Sequence, residues 1–167
     1  MTPVANFPRA DHDHHRCLAA ILADAERVCR QRNVRLTAQR RRVLEIVAER
    51  HEAIGAYDIA DRLAADGKRP APITVYRALD FLIEQGLVHR IASLNAYVAC
   101  ADVHAEHGSQ FLICRRCGVI GEMTSLAVQQ AIVGAASDVG FAVVAPVVEI
   151  AGLCVDCRHE ADDDAGS

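Results

Sequence analysis

Apolar positions recur at helical spacing through the first half of the chain and fall into short extended runs through the second. Over residues 14–32, Leu18, Ile21, Leu22, Ala25 and Val28 lie three or four apart, the stripe of an amphipathic helix. Thr37 stands where a hydroxyl can cap a second helix over residues 38–50, with Val43, Leu44 and Val47 turned inward. Residues 56–65 read as a third helix carrying Tyr57, Ile59, Ala60 and Leu63, with Gly67 to end it. Residues 68–72 read as a linker. A fourth helix over residues 73–85 places Val75, Leu79, Leu82 and Ile83 in its apolar stripe, and Gly86 stops it.

After Gly86 the period changes. Runs at residues 87–92 and 96–100, joined by Ser93, Leu94 and Asn95, read as a β-hairpin. Helices followed by a hairpin is the order of a winged helix-turn-helix, whose last helix enters the major groove while the wing lies beside the backbone. The outward face of helix 73–85 presents Thr74, Arg77, Asp80 and Glu84, with Tyr76 at its edge. Arg77 is its basic residue and the candidate for a bidentate guanine or phosphate contact, while Thr74 at the helix N-terminus can bond a phosphate. Further on, residues 110–114 and 119–123 read as strands, 125–137 as a helix and 141–150 as a strand, a small α/β module. The Val-rich run at 141–150 needs cover, and a face shared between two chains supplies it. The predicted fold class is α+β: an N-terminal winged helix-turn-helix with a C-terminal α/β dimerisation domain. The predicted boundaries are a disordered tail at 1–13, the winged-helix domain at 14–100, a hinge loop at 101–109, the dimerisation and metal-binding domain at 110–158 and an acidic tail at 159–167.

With 167 residues, 51% of them hydrophobic, the chain can bury two small cores. No apolar run approaches the roughly 20 residues that span a bilayer, and the N-terminus lacks the order of a signal peptide, so a cytoplasmic protein with reduced thiols and no membrane partner is expected. The formal charge of −4 is unevenly spread: residues 1–91 hold 15 Lys+Arg against 12 acids, and residues 92–167 hold 3 against 10. From Arg27 to Arg42 there are seven arginines and no acid, a field suited to phosphates or, alternatively, a solvated helix face.

Four of the seven cysteines form two Cys-x-x-Cys pairs, Cys114/Cys117 and Cys154/Cys157. Two such knuckles can close a tetrahedron of roughly 2.3 Å Zn–S bonds with no open position, a structural zinc site. A thioredoxin-type redox pair or two disulfides are the alternatives, but two pairs in one short half favour metal. Cys17 and Cys29 lie too far apart along one helix to chelate one ion and read as packing residues; His12, His14 and His15 read as polar tail residues, with loose metal binding by the cluster as the alternative. No catalytic triad, phosphate-cradling glycine loop or paired-carboxylate pocket can be assembled, so the chain is not read as an enzyme.

The run from Arg32 to Leu44, the stretch Thr74-Val75-Tyr76-Arg77-Ala78-Leu79 and the two knuckles together resemble the ferric uptake regulator family, its zinc-responsive branch in particular. The resemblance spans about residues 20–158 and implies a homodimeric repressor that binds double-stranded operator DNA when its metal sites are filled, and controls zinc uptake genes. It implies two Zn2+ sites per chain: structural zinc on Cys114, Cys117, Cys154 and Cys157, and regulatory zinc on His89, Cys100, His107 and Glu122, with His104 in reserve for His107. One thiolate, two imidazoles and a carboxylate suit zinc, whereas a ferrous sensor more often uses nitrogen and oxygen alone. Zinc is the one small ligand expected. For DNA the resemblance carries over Tyr57, Thr74, Tyr76 and Arg77, with Arg40 and Arg41 as backbone contacts; packing within its helix is the other reading of Tyr57. Two features depart from the family pattern: Ala38 stands where proline is common, and the N-terminal histidines are unusual. The rival readings are an iron- or peroxide-responsive relative, a dithiol oxidoreductase and a zinc-buffering protein.

Overall fold

The computed structural model describes residues 4–7, 13–65, 67, 69–100 and 110–164. In chain order the elements are β1 (Val4–Asn6), α1 (His14–Gln31), α2 (Ala38–Ala48), α3 (Ala56–Ala65), α4 (Pro72–Glu84), β2 (Val88–Ile91), a 3-10 turn (Ala92–Leu94), β3 (Ala96–Ala99), β4 (Gln110–Cys114), β5 (Ile120–Thr124), α5 (Leu126–Asp138), β6 (Val148–Gly152) and α6 (Val155–Asp164). They belong to two compact units, Arg9–His104 and Met1–Pro8 with Ala105–Ser167.

In the first unit each helix is bounded by local chemistry. Asp13 caps α1 by accepting from the Arg16 N–H at 3.2 Å, and the Thr37 hydroxyl caps α2 by accepting from the Arg40 N–H at 3.3 Å. Proline at the start of α4 costs no hydrogen bond there, so the helix begins inside the predicted linker. Gly86, at φ 69°, ends α4: the Gly86 N–H reaches the Ile83 carbonyl and the Leu87 N–H the Leu82 carbonyl, both at 2.9 Å. The core joins Val28 and Cys29 of α1, Val43, Leu44 and Val47 of α2, Ile59 of α3, Val75, Leu79 and Leu82 of α4, and Val88 and Tyr97 of the hairpin. The predicted stripe of α4 needs one correction. Ile83 is 37% exposed, and Phe81, one turn from Ala78, takes the buried place instead. β2 and β3 pair antiparallel, and Ile54 pairs with Tyr97 through two 2.9 Å backbone bonds that fasten the segment before α3 to the hairpin.

The second unit is a four-stranded sheet in the order β1-β5-β4-β6, with β6 parallel to β4 and the other neighbours antiparallel. Three sequence expectations change here. The predicted tail at 1–13 contributes strand β1, paired to β5 from Val4 opposite Thr124 to Asn6 opposite Glu122. Next to it the Phe7 ring lies against Gly121, where an added Cβ would meet ring carbons at 2.8 Å. The predicted strand at 141–150 is a strand only from Val148. Phe141 closes the C-terminus of α5 instead, its N–H bonded to the Ala136 carbonyl at 2.9 Å past Gly140 at φ 76°, and Pro146 has no N–H to give a ladder. The predicted acidic tail is helical as far as Asp164. No described residue of α5 is buried, and Val133, Val139, Phe141, Val144 and Val147 are exposed, Val144 at 97%. Among the described residues no helix is long and apolar enough to cross a membrane.

Candidate metal centres and nucleic-acid interface

The two knuckles meet at one end of the sheet. Cys114 closes β4 and turns through Gly118, at φ 78°, whose N–H bonds back to the Cys114 carbonyl at 3.0 Å. Cys154 follows β6, and Cys157 lies in the first turn of α6. Three links hold the knuckles together: β4 beside β6, the Arg115 N–H on the Gly152 carbonyl at 2.9 Å, and the Arg116 guanidinium on the Cys157 carbonyl at 3.3 Å. The four sulfurs all lie within 4.8 Å of one another, and the Cys117 and Cys154 sulfurs are 3.7 Å apart. A tetrahedron of Zn–S bonds has an edge of about 3.8 Å, so the donor set fits zinc. All four are free thiols, which sets aside the disulfide alternative.

The electrostatics of this cluster point the same way. Burial opposes ionisation of Cys114, but N–H groups of Cys117, Cys154 and Arg116 directed at its sulfur outweigh it and lower its pKa to about 6. Cys157 is pushed up to about 12 by burial and by the neighbouring thiols. One proton leaves readily and the last only with difficulty, because negative charge accumulates in a small volume; a divalent cation removes that penalty.

The second donor set is described in parts. In the helical unit, His89 of β2 and Cys100 just beyond β3 bring their donor atoms within 4.8 Å of each other. Cys100 is buried, and its N–H is bonded to the Leu87 carbonyl at 3.0 Å. In the sheet unit, Glu122 is half-buried on β5, opposite Phe111 of β4 and Asn6 of β1. His107 and its reserve His104 lie outside the described residues, as does His12.

Of the residues that the sequence assigned to DNA, Arg77 and Tyr76 are exposed on α4 and Thr74 is half-buried in its first turn. Ala71 offers α4 no side-chain cap, which leaves the positive helix end suited to a phosphate. Tyr57 is 69% exposed at the start of α3, which argues against packing as its role. The arginine-rich stretch is more self-contained than its sequence suggests. Arg41 pairs with Glu26 and Glu45, Arg42 with Glu45 and Arg27 with Asp24. Arg40 lies 3.6 Å over the Phe81 ring and donates to the Arg35 carbonyl at 2.7 Å. The partner acids stand outside the acid-free window: Asp24 and Glu45 meet their arginines at three- or four-residue spacing within one helix, and Glu26 of α1 reaches Arg41 of α2 only through helix packing.

A winged-helix unit joined in one chain to a thiol-bearing sheet unit is the architecture of a metal-dependent regulator that binds DNA. The chain belongs to the ferric uptake regulator family, whose model matches residues 31–151. It is 45% identical over 138 residues to the zinc uptake regulation protein of Escherichia coli (strain K12), covering 82% of this chain and 81% of that protein. Among solved structures it resembles a zinc uptake regulator complexed with zinc and DNA, at 42% identity and a TM-score of 0.81, over 87% of this chain and 97% of that one. It also resembles the crystal structure of holo XcZur, at 38% identity and a TM-score of 0.76, over 84% of this chain and 98% of that one. These relatives are regulators and not enzymes.

Proposed function

We propose that this protein is a zinc-responsive transcriptional repressor, cytoplasmic, which binds double-stranded operator DNA as a zinc-loaded homodimer and controls zinc uptake genes. One observation carries the reading: His89 and Cys100 meet on the wing hairpin of the unit that holds the DNA-reading helix, so occupancy there acts on the DNA-binding unit itself. The likeness to a regulator complexed with zinc and DNA supports it.

Two zinc ions per chain are assigned. Cys114, Cys117, Cys154 and Cys157 hold the structural one, and His89, Cys100, His107 and Glu122 the regulatory one. Bound zinc supplies a fixed tetrahedral cross-link among its donors. His89 and Cys100 donate from the helical unit and Glu122 from the sheet unit, so loading restrains the two units relative to each other. A dimer with restrained units presents its two recognition helices at the spacing of two operator half-sites. Operator DNA then raises zinc affinity by the factor by which zinc raises DNA affinity. Arg77 and Tyr76 read the groove from α4, Thr74 and the helix N-terminus bond phosphate, and Tyr57 contacts a thymine methyl or a phosphate from α3. Arg40 and Arg41 contribute backbone contacts, Arg41 by exchanging a carboxylate partner for a phosphate. The exposed apolar surface of α5 and residues 139–147 is the face on which the second chain packs.

The test is operator binding across a buffered zinc series, wild type against Cys100→Ser. Zinc should sharpen binding in the wild type, and the folded variant should lose that response. Equal binding by both with or without zinc, or switching by ferrous iron alone, overturns the proposal.

A further inference from the structure

The outer face of α4 has a large apolar residue on its midline, where a solvated helix carries a polar one. Ile73, Arg77, Asp80 and Glu84 run down the middle of that face at helical spacing, and all are exposed. Tyr76 lies to one side of this line. Thr74 lies to the other, half-buried on the flank shared with the buried Ala78 and Phe81. Ile73 is 57% exposed, whereas Val75, Leu79 and Leu82 of the opposite face are sealed from solvent. Ile73 therefore lies outside the core of the helical unit, and the sequence pattern, which put Thr74 on the outward face, passed over it.

Given the groove-reading role proposed for α4 above, we infer that Ile73 is a specificity-determining residue whose side chain packs on the 5-methyl group of an operator thymine. The N-terminal residues of a recognition helix are the ones that reach base edges, and Ile73 is the exposed large apolar side chain of the first turn of α4. In the major groove only thymine presents a methyl group; the other bases present hydrogen-bonding atoms alone. An apolar side chain gains from covering the methyl, and against cytosine it would leave the amino donor without an acceptor. Pro72 fixes the backbone one residue earlier, and a β-branched side chain in a helix keeps essentially one χ1 rotamer. Ile73 is thus a rigid surface that gives up little conformational freedom on contact. Arg77 lies one turn further, about 6 Å along the axis. The two residues then address neighbouring steps of one half-site, Arg77 through hydrogen bonds and Ile73 through a methyl.

The test uses the full chain loaded with Zn2+ and a synthetic duplex that it selects from a random library. Each thymine of that duplex is replaced in turn by deoxyuridine, which removes only the methyl, and dissociation constants are measured for wild type and Ile73→Ala. At one thymine position of a half-site the replacement should weaken wild type about fourfold, the worth of one buried methyl. The same replacement should leave Ile73→Ala unchanged within about twofold. On the unaltered duplex Ile73→Ala should itself bind about fourfold more weakly or worse, with its helicity kept because Ile73 is outside the core. If no replacement weakens wild type, or if every sensitive thymine weakens wild type and Ile73→Ala equally, the inference is overturned and the repressor reading stands. Selection of no duplex at all overturns both.

Discussion

The two units of this chain reach stability by different routes. The helical unit closes its own core: Val43, Leu44, Ile59, Leu79 and Leu82 are sealed from solvent, and every helix contributes. The sheet unit buries Phe111 and Ile113 but leaves α5 with no buried residue and Phe141, Val144 and Val147 in solvent. One unit is a finished domain, while the other is held by a thiol cluster at one end and left apolar on a face. The four-thiol cluster and the exposed apolar face thus both belong to the sheet unit, whereas the helical unit closes a core without either.

Metal removal should separate the units most sharply. Structural zinc sites of this kind contribute on the order of 10 kcal/mol, so a strong chelator, or Cys114→Ser, should unfold the sheet unit and abolish dimers in sedimentation equilibrium. The helical unit should keep a cooperative thermal transition; simultaneous loss of both transitions would erase the distinction. Next in size, Leu79→Ala should cost about 2–5 kcal/mol in the denaturant midpoint of the helical unit, as a cavity in a closed core, with the zinc content of the four-thiol site unchanged. Phe141→Ala should leave monomer stability within about 0.5 kcal/mol, as a surface change does. It should weaken self-association by about 2 kcal/mol, roughly thirtyfold in the dimer dissociation constant, as ultracentrifugation at several concentrations would show. The smallest effect is expected for Thr37→Ala, about 1 kcal/mol from the lost cap, seen in the helical transition alone.

What could be read from the sequence follows the range of the interactions involved. Helix periods, the Thr37 cap and the terminating Gly86 are local, and they place α1 to α4 and the hairpin within a residue or two. The knuckles are short motifs with a fixed geometric purpose, and their convergence needed only that β4 and β6 be neighbours. Non-local terms were harder. The run at 141–150 has the composition of a strand, but the helix end at Gly140 and Pro146 hold its first half out of the ladder. β1 has no alternating pattern long enough to announce itself and is defined by its partner β5. The arginine stretch looks like an open positive surface because Glu26, which meets Arg41, comes from a different helix.

The sheet has two unlike rims. Its β5 side is shut by the chain's own first strand, with Phe7 seated on the bare backbone of Gly121, whereas among the described residues β6 pairs only with β4 and keeps its outer side open. The two edges are unequal: β1 ends the sheet on one side with three residues, which offer little ladder to another strand, and the five residues of β6 end it on the other. A bulky residue at position 121, by displacing Phe7, would loosen this short strand and leave the longer edge of β5 in its place.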